Sequence, residues 1–333
     1  GACGTRTGSP STSDTGDGYV MLKLPGGNAI CYSGYRRGQS PAEKIFPSVA
    51  EVREDLHILH KHWRLLRLYD CSLHAERVLE VIRRDRLDFK VMLGAHLAAE
   101  MNNFGCPWGA TCSEAQLAAN VAENDAEVDR LITLARHNDD IVFSVAVGNE
   151  ATVDWTDHFV TVARMIELVR RVKREVPQPV TFCENYVPWR EKLRPLAREL
   201  DFISLHTYPV WEYKHVHDAL DYSRDNYHSV ASLYPDKPVI ISEAGWATNS
   251  NGRGICPQNV SEDLQAIHYQ DLMDWTGREG ILTFVFEAFD EPWKGSPDPL
   301  EPEKHWGLFT VDREPKRVMR ALYPELLRHR ETA

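Results

Sequence analysis

From Ala29 onward the chain alternates between short apolar runs and longer stretches in which apolar residues recur at helical spacing. Eight apolar runs, bounded by polar or turn residues, predict buried strands. They cover residues 29–35, 63–70, 89–97, 141–150, 179–186, 202–210, 238–246 and 281–289. Amphipathic helices are predicted at 49–62, 74–87, 113–137, 157–176, 261–278 and 316–329. Ser113 and Ser261 are expected to cap two of these helices, and Asp154 or Thr156 the helix at 157–176.

This strand–helix repeat predicts a single (β/α)8 TIM barrel over residues 29–333. A doubly wound parallel sheet is the alternative, but YSGYRRGQSP, which follows the start of the first strand, lacks the Gly-rich phosphate loop of that fold. Residues 1–28 are expected to form a flexible leader or linker, because most of them are Gly, Ser, Thr or Asp.

Alternation along the strands predicts which side chains point into the barrel, since every second residue shares a face. The predicted shared faces are Val142, Ser144, Ala146, Gly148 and Glu150 in the fourth strand, Ser204, His206 and Tyr208 in the sixth, Val239, Ile241 and Glu243 in the seventh, and Thr283, Val285 and Glu287 in the eighth. Small and polar residues on such a face indicate a crowded interior whose open end carries chemistry.

Composition narrows the class of function. The 49 acidic and 38 basic residues give a net charge of −11, which argues against nucleic acid or an anionic membrane as the main partner. No apolar run approaches the roughly 18 residues that a membrane helix needs. The seven cysteines show no zinc-site spacing. Cys106 and Cys112 could form a disulfide in an exported protein, or could be ordinary thiols.

Candidate chemistry lies at the carboxyl ends of the strands, where TIM barrels carry their active sites. Glu150 ends the fourth strand and Glu243 the seventh, among tyrosines and tryptophans. Two carboxyl groups in an aromatic cleft are what glycoside hydrolysis requires. Glu243 could instead pair with an internal arginine, and Arg67 is interpreted as a buried partner of a catalytic carboxylate. His206 is interpreted as a satisfied interior histidine, and Glu184 as a possible charge at the rim.

Short motifs at the expected strand ends make the resemblance specific. They are CYSGY (31–35), LRLYD (66–70), VGNE (147–150), TYP (207–209), SEAGW (242–246), FEAFDEPWK (286–294) and EKHWGLF (303–309). In this order they resemble glycoside hydrolase family 17, in its bacterial and fungal branch. The resemblance implies that Glu150 is the general acid/base and Glu243 the nucleophile of a retaining reaction, with the carboxyl groups about 5–5.5 Å apart. At rest Glu150 would carry the proton and Glu243 would be ionised.

The same resemblance implies the substrate-binding residues. Asn149 would hold the sugar 2-hydroxyl, and Tyr208 would orient the nucleophile. Glu291, Lys294 and Glu303 would form a charged group beside the acid/base. The complete predicted substrate-binding set is Tyr32, Asp70, Asn149, Tyr208, Trp246, Glu287, Glu291, Lys294 and Glu303. No metal ion or cofactor is implied.

The leading hypothesis is an endo-β-1,3-glucanase that acts on a β-glucan as a monomer. A β-1,3-glucanosyltransferase with the same nucleophile is the alternative, since water or a sugar hydroxyl could resolve the covalent intermediate. An inactive glucan-binding barrel is disfavoured because Glu150 and Glu243 are both present, and a metal-dependent hydrolase because ligand clusters are missing. We expect a secreted or periplasmic location. Gly-Ala-Cys at the start of the sequence resembles a lipid-attachment site, which would use Cys3.

Overall fold

The computed structural model describes residues 21–328, and in it eight parallel strands close into a barrel in sequence order. The single (β/α)8 barrel is thereby confirmed. The strands are β1 Ala29–Cys31, β2 Leu65–Leu68, β3 Lys90–Ala95, β4 Val142–Asn149, β5 Val180–Asn185, β6 Ile203–His206, β7 Val239–Ala244 and β8 Thr283–Val285.

Helices cover the outside of the barrel. They are α1 Val49–His60, α2 Leu73–Arg84, α3 Glu114–His137, α4 Val162–Glu175, α5 Tyr186–Glu191, α6 Arg194–Ala197, α7 Val216–Ala231, α8 Glu262–Glu279 and α9 Arg317–Arg320. Short 3-10 turns occur at Pro209–Glu212, Pro257–Asn259, Pro302–Lys304 and Pro324–Leu326. Between residues 21 and 328, no helix is both long and apolar enough to cross a membrane.

Two of the three predicted helix caps are confirmed. Ser113 and Ser261 cap α3 and α8 as predicted, each accepting a hydrogen bond from a backbone N–H in the first turn. The predicted cap at Asp154 or Thr156 is wrong, because α4 begins only after Thr161. The backbone carbonyls of Asp154 and Thr156 instead accept hydrogen bonds from the side chain of Asn103, which holds this segment as a loop.

The predicted helix at 316–329 is also shorter in the structure. It ends after Arg320, and the chain then passes into the 3-10 turn that starts at Pro324. Proline lacks the backbone N–H and collides with the preceding turn, which explains the early end.

Apolar residues form two layers on either side of the strands. Ala29, Cys31, Leu65, Met92, Ala146 and Phe284 belong to the inner cluster, whereas Ile30, Leu66, Val91, Val145, Ile203 and Ile241 belong to the cluster that includes the helix residues. Ala146 inside, with Val145 outside, agrees with the predicted alternation in the middle of β4. The prediction is wrong for Val142, which packs on the helix side because the pairing of β3 with β4 shifts register there, and for Gly148, whose missing Cβ would meet the helix-side residues Met165 and Phe182. Ile203 and Leu205, both in the helix-side cluster, agree with the prediction for β6.

The predicted faces of β7 and β8 need correction. Val239 and Ile241 pack on the helix side, whereas Glu243 points into the barrel mouth. The pairing of β6 with β7 shifts by one residue, from Leu205 opposite Ile241 to His206 opposite Glu243. Such a bulge reverses the alternation.

In β8, Val285 packs on the helix side, while Glu287 beyond the strand end faces a carboxylate and a lysine. Thr283, Val285 and Glu287 therefore do not form one continuous face.

The barrel closes where β1 meets β8, through the registered pairs Ala29–Phe284 and Ile30–Val285. Close to this seam, Arg313 donates to both carboxylate oxygens of Asp55 on α1, at 2.7 and 2.8 Å. Both side chains are buried, so the ion pair is shielded from water.

The predicted leader is only partly within the described residues. Residues 1–20, including Cys3, lie outside them. Leu22 and Leu24 pack against the inner cluster although they belong to no helix or strand. The boundary at residue 28 stays a prediction. Cys106 and Cys112 are free thiols in this structure, so their loop is not bridged.

Candidate active site

Glu243 lies at the carboxyl end of β7 and is 5% exposed, with donors on both carboxylate oxygens. Oε2 accepts hydrogen bonds from Arg67 and from the Tyr69 hydroxyl, each at 2.8 Å. Oε1 accepts a hydrogen bond of 2.5 Å from the Tyr208 hydroxyl. The prediction that Arg67 is the buried partner of a site carboxylate is confirmed.

This environment keeps Glu243 ionised. Burial by itself raises the pKa of Glu243, but His206, Arg67 and the two tyrosine hydroxyls outweigh it and hold the pKa at about 2. An ionised carboxylate whose orientation is fixed by three hydrogen bonds is suited to nucleophilic attack on a carbon atom.

Glu150 follows the last residue of β4 and is partly exposed at the open end of the barrel. One of its carboxylate oxygens lies within 4.8 Å of a carboxylate oxygen of Glu243. This short separation agrees with the retaining geometry, whose carboxyl groups are about 5–5.5 Å apart.

His206 lies between the two carboxylates. Its Nδ1 atom is 3.7 Å from Glu150 Oε2 and 3.6 Å from Glu243 Oε1, and the ring is fully buried. Burial alone lowers the pKa of His206, but the facing carboxylates raise it to about 10. Sequence reasoning expected a satisfied interior histidine; the structure places His206 Nε2 3.3 Å from Arg67 Nη1, whereas Nδ1 has no hydrogen-bond partner among the described residues.

A second charged group follows β8. Lys294 Nζ lies 2.6 Å from Glu291 Oε2, and Trp293 donates to the other carboxylate oxygen of Glu291 at 3.2 Å. Glu287 is buried and faces Glu291; burial first, then repulsion by Glu291, raises the pKa of Glu287 well above its usual range. Burial also raises the pKa of Glu303, and Lys294 partly offsets this.

Phe286 connects this group to Glu243. Lys294 Nζ lies 4.7 Å from the centroid of the Phe286 ring. The rings of Tyr69 and Tyr208, which bind Glu243, contact the same phenylalanine edge to face at centroid distances of 6.5 and 6.1 Å. The structure therefore brings Tyr208, Glu287, Glu291 and Lys294 to one end of the barrel, as predicted.

The other predicted site residues have structural partners. Asn149 Oδ1 accepts a hydrogen bond of 2.6 Å from Arg67, which fixes the amide beside Glu243. Asp70 accepts hydrogen bonds from the backbone and hydroxyl of Ser72 at the start of α2. Tyr32 is buried and donates to Asp55 at 2.8 Å, and Trp246 is buried with its Nε1 bound to the Asn259 carbonyl. Tyr32 and Trp246 thus pack within the fold and offer no exposed ring face to a sugar.

Glu150, His206 and Glu243 are also spaced so that they could hold a metal ion. The Arg67 guanidinium, which donates to Glu243 and lies 3.3 Å from His206 Nε2, would repel a cation placed there. The donor set therefore fits a metal poorly. That the protein needs no metal remains a prediction.

Sequence reasoning missed the role of His158 and misplaced Glu184. His158 Nε2 lies 2.8 Å from the backbone carbonyl of Asn149, and no motif or periodicity marked it. Glu184 is fully buried, so its interpretation as a rim charge is wrong. Tyr69 stands two residues after Arg67 on the same predicted face, and this spacing was the signal for its contact with Glu243.

Comparisons with known proteins place the chain in a family. The family model of the BtgE/BtgC glycoside hydrolase domain matches residues 29–307. An endo-laminarinase from Formosa Hel1_33_131 superimposes with a TM-score of 0.75 at 30% identity, over 90% of this chain and 86% of that one. A glucan 1,3-beta-glucosidase of Arthroderma benhamiae is 24% identical over 57% of this chain.

A protein of Aspergillus clavatus, named probable glucan endo-1,3-beta-glucosidase btgC, is 27% identical over 82% of this chain. The chain spans only 65% of the length of the Arthroderma protein and 39% of the Aspergillus protein. The resemblance to family 17 glycoside hydrolases seen in the sequence is confirmed. With most of its barrel matched, the chain belongs to the BtgE/BtgC glycoside hydrolase domain family.

Proposed function

We propose that this protein hydrolyses internal β-1,3-glucosidic bonds of a laminarin-like β-glucan with retention of configuration. The observation that carries the proposal is the pair of Glu150 and Glu243, whose carboxylate oxygens approach within 4.8 Å while the surrounding hydrogen bonds keep Glu243 ionised. The substrate class is supported by the relatives, which are named endo-laminarinase and glucan endo-1,3-beta-glucosidase.

The reaction follows from the geometry in two steps. Glu243 attacks the anomeric carbon and the glycosidic C–O bond breaks, while Glu150 gives its proton to the leaving oxygen. Glu150, now a carboxylate, takes a proton from water, whose oxygen attacks the same carbon and releases Glu243. His206 stays between the two carboxylates and faces whichever of them is charged.

The binding residues have matching proposals. Because Oδ1 of Asn149 accepts a hydrogen bond from Arg67, its side-chain N–H groups remain to donate to the 2-hydroxyl of the sugar next to Glu243. Lys294, Glu291 and Glu303 would bind hydroxyls on the side of Glu150, and the hydroxyl of Tyr208 would hold the nucleophile in line. Tyr32, Asp70, Trp246 and Glu287 stay predicted residues whose contacts in this structure are with the protein.

Product analysis tests the reaction. Laminari-oligosaccharides are incubated with the wild type, Glu150→Ala, Glu243→Ala and the control Glu175→Ala, whose side chain is exposed at the end of α4. We expect shorter oligosaccharides, formed as the β-anomer by NMR, from the wild type and the control alone. Products longer than the substrate would show transfer to a sugar hydroxyl instead.

Azide assigns the two roles. With an activated aryl β-glucoside of the same linkage, azide should yield a β-glucosyl azide in Glu150→Ala and an α-glucosyl azide in Glu243→Ala. Full activity of Glu243→Ala on laminari-oligosaccharides would contradict the assignment.

We also propose a monomer that works outside the cytoplasm, in which Cys3 could carry a lipid; light scattering after size-exclusion chromatography tests the monomer.

A further inference from the structure

Glu150, the proposed general acid, has a backbone conformation that neighbouring groups must stabilise. Glu150 has a φ of +46°, and Gly148 before it has a φ of +89°. A left-handed conformation is unusual for a residue with a side chain and persists only where neighbouring groups impose it. The orientation of the Glu150 carboxyl group therefore depends on the groups that hold this turn in place.

Residues of β5 hold the turn through hydrogen bonds. The backbone N–H of Glu150 donates to the Cys183 carbonyl at 2.8 Å. Two residues later, the backbone N–H and the hydroxyl of Thr152 both donate to Glu184 Oε2, at 3.0 and 2.8 Å. The other carboxylate oxygen of Glu184 accepts from the N–H of Asn185 at 2.7 Å. Glu184 and Thr152 are fully buried, so water does not replace these bonds.

Glu184 carries a negative charge only above about neutral pH. Its three partners are neutral donors, and burial together with repulsion by Glu150 raises the pKa of Glu184 to about 7. Titratable groups also face Glu150 from other elements: His158 from the loop after β4, His206 from β6, Glu243 from β7 and Glu303 from the 3-10 turn at Pro302–Lys304.

We propose that Glu184 is a positioning residue for Glu150: it fixes the turn that orients the acid and, where it is ionised, adds a negative charge to the surroundings of the acid. The inference rests on the proposed function, because it assigns Glu184 to the proton-transfer step of that reaction. The role extends beyond packing, since a purely structural carboxylate would not alter how Glu150 gains and loses its proton.

Two substrates separate proton transfer from general damage. In laminari-oligosaccharides the leaving group is a sugar hydroxyl, which needs a proton from an acid. In a 2,4-dinitrophenyl β-laminaribioside the leaving group is 2,4-dinitrophenolate, which departs without a proton. For Glu184→Gln we expect kcat/KM to fall about 10- to 100-fold on the oligosaccharide and less than about threefold on the activated substrate. The alkaline limb of the oligosaccharide pH profile should move down by about one pH unit, because glutamine lacks the negative charge that Glu184 acquires at alkaline pH.

Two further variants divide the two parts of the role. Glu184→Asp keeps the charge but is one methylene too short for Thr152, so it should lower kcat/KM and leave the alkaline limb in place. Thr152→Val removes one donor to Glu184 and should show the same substrate dependence to a smaller extent; it keeps the test valid if Glu184→Gln does not fold.

Glu127→Gln is the matched control. Glu127 is another buried carboxylate that accepts backbone N–H groups, from Cys71 and His96, but it faces Arg130 instead of Glu150. Its pH profile should equal that of the wild type. Equal losses on both substrates for Glu184→Gln, with an unmoved alkaline limb, would overturn the inference. A wild type inactive on both substrates would overturn the proposed function instead.

Discussion

Replacing Tyr208 by phenylalanine removes the hydroxyl group that donates a hydrogen bond to Glu243 and leaves the packing of the ring intact. The ring contacts Trp306 and Phe286 at centroid distances of 5.2 and 6.1 Å, and phenylalanine preserves both contacts. The hydroxyl itself donates to Glu243 Oε1 at 2.5 Å. We expect Tyr208→Phe to fold normally and to need a higher pH for activity.

The magnitude follows from the hydrogen bond that is lost. A hydrogen bond to a charged group contributes about 1.5–3 kcal/mol, and about 1.4 kcal/mol corresponds to one pKa unit. The attacking form of Glu243 is the carboxylate, and its pKa of about 2 depends on its donors. Removing one donor destabilises the carboxylate, so its pKa should rise by about 1–2 units.

The assay is the pH dependence of kcat/KM on laminari-oligosaccharides between pH 2.5 and 8. The acid limb of kcat/KM reports the group that must lose its proton in the free enzyme. For Tyr208→Phe this limb should lie at about pH 3–4, where the wild type is still fully active. Tyr213→Phe is the control, since Tyr213 is 78% exposed.

Tyr69→Phe gives an internal comparison. The Tyr69 hydroxyl donates to Oε2, which also accepts a hydrogen bond from Arg67. Because the guanidinium remains, Tyr69→Phe should move the acid limb less than Tyr208→Phe does. If Tyr208→Phe lowers the plateau and leaves the acid limb where it was, the hydroxyl does not stabilise the carboxylate and this reasoning fails.

Two further predictions concern stability. Asp55→Asn leaves Arg313 buried without its charge partner and should lower the free energy of unfolding by about 3–5 kcal/mol in urea at pH 7; an unchanged value would show that the pair is not buried in solution. The depressed pKa of Glu243 contributes stability above its unfolded-state pKa, and this is lost as the pH falls towards about 2. The free energy of unfolding should therefore depend less steeply on pH between 5 and 3 in Glu243→Gln than in the wild type; parallel curves would contradict this linkage.

The barrel could be predicted from the sequence because its signal is local and repeated. Each apolar run ends in polar residues, and helical stretches separate the runs, so the strand order follows from the chain order. Arg67 and Tyr69 were also within reach, since alternation places both on the face of β2 that lines the barrel.

The predictions that were wrong concern residues whose positions depend on contacts with distant segments. The bulge between β6 and β7 turns Glu243 into the barrel, and it depends on how the two strands pair. No residue in SEAGW is of a type that predicts a bulge. Glu184 resembles a rim charge in sequence, because its partner Thr152 belongs to a loop 32 positions away. The loop that delays α4 is likewise held by Asn103, from the segment after β3. Contacts between distant segments override local preference at these places.

The seam between β1 and β8 has a consequence for how the chain reaches this structure. Arg313 and Asp55, which are joined beside it, are 258 positions apart. While the protein is being synthesised, the free edge of β1 presents unpaired N–H and C=O groups until β8 has emerged. A chain that stops before β8 would keep this open parallel edge and would pair with other chains through it. Ring closure is thus the late, long-range step on which solubility of the newborn protein depends.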